Sequence, residues 1–120
     1  MEINGVEVEF NPTDWKETER EEKARATFRS NITSVRGLPP KESIKKGCSL
    51  VIKYFDDAYG KGTGRKVLGA ETDFMKCVAA MTESIVQVAK IQKEIIDAVE
   101  RLDNVAVTSP TANDGTYRGN

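Results

Sequence analysis

A mostly α-helical fold is predicted, with an N-terminal β-hairpin, three helices, of which the last is long and amphipathic, and a flexible C-terminal tail. Three observations predict it. An Asn-Gly pair lies among apolar residues at the start of the chain. Proline and glycine then punctuate the sequence at helix-length intervals. Finally, neither residue interrupts the stretch from Thr72 to Asp103. At 120 residues the chain has room for one small domain, expected over residues 1–103, with the tail over 104–120.

In the opening stretch Ile3, Val6, Val8 and Phe10 are apolar, and Asn4-Gly5 is a strong signal for a type I′ turn, which needs positive φ at both central residues. The first arm is too short to stand alone, so the hairpin is expected to lie on the helices or pair with another strand. Asn11-Pro12-Thr13-Asp14 reads as a helix start, with Asn11 as the cap and Pro12 in the first helical position. This first helix is predicted from Pro12 to about Val35, stopped by Gly37 and Pro39-Pro40. Ala24, Phe28, Ile32 and Val35 give it an apolar side. Its early turns are dense in charge around Trp15, led by Glu17, Glu19, Glu21 and Glu22, and are expected to project into water or meet a basic partner.

The second helix is predicted from Lys41 to Tyr59. Ile44, Cys48, Val51, Ile52, Phe55 and Tyr59 form its inner face, widened by Leu50 and Tyr54, which makes it the most buried helix. Gly47 costs about 1 kcal/mol inside a helix, and close packing against a neighbour would explain its presence. Gly60 to Gly69 reads as a flexible connector pinned by Val67 and Leu68.

The last helix carries apolar residues at Phe74, Cys77, Val78, Met81, Ile85, Val88, Ile95, Val99 and Leu102, in steps that are mostly three and four. Ile91 and Ile96 widen the stripe. Residues 72–103 in one helix would span about 48 Å, more than a small core needs. Phe74, Val78 and Met81 are expected to pack on Phe28, Val51 and Phe55. Ile85, Val88, Ile91, Ile95, Val99 and Leu102 are expected to dock a partner helix, from a second copy or from another protein.

The formal charge of −1 gives the whole chain no strong pull toward nucleic acid or anionic membrane, although the stretch from Lys41 to Lys66 is net positive. The first ten residues alternate glutamate with apolar residues, unlike a secretory leader, and no apolar run has the length of a membrane span. The sequence contains no histidine, which removes the commonest general base and metal ligand. Cys48 and Cys77 lack CxxC spacing and read as buried thiols. The glycines and basic residues of Gly60-Lys61-Gly62-Thr63-Gly64-Arg65-Lys66 invite a phosphate-loop reading. However, the stretch follows a helix rather than a strand and lacks the Gly-Lys-Ser/Thr ending. Asp56, Asp57, Glu71 and Asp73 read as solvated surface acids. No cofactor, metal or catalytic residue is therefore expected.

The stretches MEINGVEVEF and SIKKGCSLVIKYFDDAYGKGTGRKVLG, followed by a long helix, resemble a family of small phage and prophage proteins of Gram-positive bacteria that carry a domain-of-unknown-function label. The match is strongest over Ile3 to Phe10 and Tyr54 to Gly69, and it does not extend to the tail. The resemblance implies a gene in the tail-morphogenesis region and a tail assembly chaperone of the host cytoplasm. Such a protein would be helical and oligomeric, holding apolar segments of the tape-measure protein until the tail tube polymerises, with tape-measure or tube proteins as partners. It carries over no catalytic residue. Two alternatives remain open at this point: an inhibitor or adaptor of a host defence protein, and a weak nucleic-acid-binding module that uses the basic middle.

Overall fold

The computed structural model describes residues 1–108. Strands β1 (Glu2–Ile3) and β2 (Val6–Glu7) pair antiparallel, with Ile3 opposite Val6. The turn between them has φ of 53° at Asn4 and 78° at Gly5, the left-handed geometry that the Asn-Gly pair predicts. The hairpin does lie on the helices. Ile3 and Val8 are buried, the Asn4 side-chain amide donates to the Val67 carbonyl at 2.8 Å, and the Asn4 backbone N–H donates to Glu83 at 3.0 Å.

Helix α1 spans Trp15–Ile32, and a single 3₁₀ turn, Thr33–Val35, tightens its end. The cap is Asp14, whose carboxylate accepts the Glu17 N–H at 3.0 Å. Asn11, the expected cap, instead accepts the Thr13 N–H at 3.0 Å and the Thr13 hydroxyl at 2.8 Å. This Asx turn leaves buried Pro12 ahead of the helix.

Helix α2 (Pro40–Tyr59) touches every other long helix and forms the centre of the fold. Val51, Tyr54, Phe55 and Ala58 are almost fully buried. Phe28, Phe55 and Tyr59 pack edge-on around Tyr54, and Phe55 packs tilted against Tyr59, with ring centroids 5.5–6.4 Å apart, and Phe10 meets Tyr59 edge-on at 4.9 Å. Gly47 has the close neighbour its position suggests: a Cβ there would lie 2.6 Å from the Phe74 ring. Ile44 departs from the expected inner face and is 43% exposed.

The glycine-rich stretch is more ordered than a flexible connector. It folds into a short helix, α3 (Thr63–Leu68), that buries Val67 and Leu68. Its N-terminal residues offer no capping side chain, and Asp56 supplies one from α2 by accepting the Gly64 N–H at 2.8 Å. Helix α4 (Phe74–Thr108) starts where Asp73 accepts the Met75 N–H at 2.9 Å. It continues past Asp103 to Thr108, so the first residues of the expected tail are helical, and residues 109–120 lie outside the described residues.

Cys48 and Cys77 are buried thiols facing each other between α2 and α4. Burial, reinforced by the hydrogen bond with Cys48, pushes the Cys77 thiol from 9.0 up to about 12. Burial raises the Tyr54 and Tyr59 hydroxyls in the same direction. Groups that hold their protons more tightly when folded stabilise the protein below their unfolded pKa and lose that effect as the pH rises through the folded value. Stability is therefore expected to fall as pH rises from about 9 toward about 12, measured by urea denaturation at stepped pH. Both thiols are expected to resist iodoacetamide at pH 8 until the protein is unfolded.

Candidate docking surface on the last helix

The structure places a second pattern on α4, stricter than a mere apolar face. Phe74, Cys77, Met81, Ser84, Val88, Ile91, Ile95, Ala98 and Leu102 follow one another in alternating steps of three and four. That is the heptad ladder of a coiled-coil seam, which drifts only ~20° per heptad around a straight helix. One continuous face therefore runs the length of α4. Its first half is spent on the body: Cys77, Met81 and Ser84 are buried, and Val88 is 4% exposed. The α2 side of the body, α3 and β1 cover that half.

At Gln92 the helix leaves the body. The Gln92 amide donates to the Pro12 carbonyl at 3.1 Å, five residues after Gln87 reaches the Glu2 carbonyl. From Lys93 to Leu102 every residue except half-buried Ala98 is exposed. The seam continues along this arm uncovered, with Ile95 44% and Leu102 70% exposed, and Val99 beside it at 59%. The principal extents of 69 × 29 × 20 Å reflect the arm.

The six residues expected to dock a partner therefore divide. Val88 is buried within the chain, Ile85 packs against the body core, and Ile91 is half-buried at the junction. Ile95, Val99 and Leu102 lie together on the exposed arm, with Ile96 next to them. Of the expected inward group, Met81 is core, Phe74 packs against the core, and Val78 is half-buried.

The charged start of α1 holds a residue that the sequence reading misplaces. Glu19 and Glu22 are exposed as expected, and so is Trp15, with the Lys16 ammonium 5.7 Å from its ring centroid. Glu21, however, is 2% exposed. Its carboxylate accepts two hydrogen bonds from Arg25, at 2.9 and 3.0 Å, and one from the Tyr54 hydroxyl at 2.6 Å. The Tyr59 hydroxyl stands 3.3 Å from that of Tyr54. The hydrogen bonds that Arg25 donates to Glu21 raise the pKa of its guanidinium. With both oxygens engaged and no solvent access, Glu21 acts as a latch between α1 and α2 rather than as a general base. The clue was its spacing: Glu21, Ala24 and Phe28 step by three and four, so the apolar side of α1 runs back onto the glutamate.

Asp57 and Asp73 are exposed, as expected of surface acids, Asp56 and Glu71 are half-buried, and all four are engaged. Asp56 caps α3, Asp57 pairs with Lys53, Glu71 accepts the backbone N–H groups of Thr72 and Asp73, and Asp73 caps α4. In the glycine-rich stretch the Thr63, Gly64 and Lys66 N–H groups bond to the Gly60 carbonyl, Asp56 and the Gly62 carbonyl, so these three donors are engaged within the chain. Among the described residues, no group of three or more Cys, Asp or Glu side chains is placed to hold a metal ion. No helix among them is long and apolar enough to cross a membrane.

Fold and surface together define a small helical protein whose last helix runs from the core out into an arm. The chain belongs to a family of unknown function, DUF6673, whose model matches residues 4–112. No curated protein and no solved structure matches the chain.

Proposed function

We propose that the protein is a non-enzymatic assembly factor that works by docking its last helix against other helices, and that it serves phage tail assembly as a chaperone in the host cytoplasm. The observation that carries the docking reading is the uncovered continuation of the core seam at Ile95 and Leu102, flanked by Val99. Each Ile, Val or Leu fully buried on docking contributes ~1.5–3 kcal/mol, so three or four such residues can hold a helix in place. The resemblance of Ile3–Phe10 and Tyr54–Gly69 to phage and prophage proteins supports the tail role. An apolar helical segment of the tape-measure protein is the client that matches this surface in chemistry.

Co-expression with the tape-measure protein of the same genome tests the proposal. The two are expected to co-purify as a complex. The double substitution Ile95→Asp, Val99→Asp is expected to abolish the complex while leaving the melting temperature of the body within a few degrees of wild type, because neither side chain touches the core. Wild-type protein that leaves the tape-measure protein unbound would overturn the tail role.

A further inference from the structure

We infer that the exposed seam of the arm is covered by a second copy of this chain running antiparallel, in a register that sets Glu94 of each copy beside Arg101 of the other. This inference rests on the docking reading and names the occupant of that surface. A client helix would then exchange with the second copy rather than meet a bare arm.

The direction follows from where the body sits. Cys77, Met81, Ser84 and Val88 turn the proximal seam toward the body, and Ile95 and Leu102 lie further along that same face. A partner helix covering the distal seam therefore starts where the body stops. In a parallel pair, the partner's own proximal half would continue alongside residues 74–88 and enter the space that α2 and α3 fill. An antiparallel partner continues the other way, past Leu102, and carries its body to the far end.

The register follows from size and charge. In an antiparallel coiled coil the two seam positions of the heptad face each other across the interface. With the two-fold axis between Ile96 and Asp97, Ile95 faces Ala98 of the partner subunit, and Leu102 faces Ile91 of the partner subunit. The Ile–Ala layers pair a large side chain with a small one. Flanking the seam on one side are Glu94 and Arg101, both exposed. In this register each Glu94 lies beside Arg101 of the partner subunit, twice by symmetry. Sliding the pair by one heptad in one direction sets Arg101 beside its own copy, and in the other direction sets Glu94 beside its own copy. Both slips bring like charges together, so charge selects one register. A parallel pair would put Glu94 beside Val99 and offer neither charge a partner.

Sedimentation equilibrium of the full chain over a concentration series tests this. Wild type is expected to be a dimer at high micromolar concentration. Glu94→Arg and Arg101→Glu are each expected to weaken self-association about tenfold, because each puts two like-charge pairs in place of two opposite ones. The double variant Glu94→Arg, Arg101→Glu is expected to return to within about twofold of wild type. The urea midpoint of the body, unchanged across the set, separates association from folding. A wild-type monomer overturns the inference, and so does a double variant no tighter than the singles. If the dimer fails but tape-measure binding depends on Ile95 and Val99, the docking reading stands without it. If Ile95→Asp, Val99→Asp leaves both the dimer and client binding intact, the docking reading itself falls.

Discussion

Arg25→Met is expected to lower the stability of the body by about 3 kcal/mol, measured by urea denaturation at pH 7. The guanidinium supplies two of the three hydrogen bonds that Glu21 accepts, and it supplies the positive charge. Without it, a carboxylate that is 2% exposed keeps only the Tyr54 hydroxyl. Removing one member of a buried pair leaves the desolvation cost of the other uncompensated, which exceeds the worth of the pair itself. Adding Glu21→Gln should recover most of the loss, since a neutral amide can still accept from Tyr54. A deficit unrelieved by Glu21→Gln would mean that Arg25 acts through packing of its stem instead.

Gly64→Ala is expected to cost about 2–3 kcal/mol, even though alanine is the better helix former. A Cβ at Gly64 would lie 2.6 Å from the Ile52 carbonyl oxygen and 2.7 Å from its Cγ2. The carbonyl belongs to the backbone of α2 and cannot swing aside, so α3 would have to lift. Lifting it stretches the Gly64–Asp56 hydrogen bond and uncovers Val67 and Leu68. Gly47→Ala is a useful contrast. Its Cβ would also sit 2.6 Å from a neighbour, but that neighbour is the ring of half-buried Phe74, which can turn. It should cost less than half as much, and thermal melts of the two variants would check the order. Equal losses would show that side-chain freedom does not decide between the two sites.

The elements were legible where local chemistry sets them. Asn4-Gly5 specifies a turn by its φ requirement, Pro39-Pro40 and Gly37 stop a helix, and the apolar period of residues 74–102 survives in any context. What stayed hidden depends on partners distant in sequence. No residue near Gly62 announces a helix start, because the cap comes from Asp56 on another element. Glu21 reads as one more surface acid until Tyr54, on the next helix, closes over it. The exposed arm was readable only in part. The stripe is plain in the sequence, but which half the body consumes depends on where Gln92 meets Pro12, a tertiary contact. Asn11 and Asp14 show the same limit at short range: both can cap, and the buried position of Pro12 decides between them.

The departure of α4 at Gln92 has a thermodynamic consequence. A segment that keeps its helical shape with little tertiary support opens at a cost close to that of an isolated helix, well below the cost of unfolding the whole molecule. Anything that clasps it adds a term that grows with the logarithm of concentration. Order beyond Gln92 is thus a quantity that dilution can lower and crowding by like molecules can raise, whereas the packing of α1 on α2 is indifferent to either.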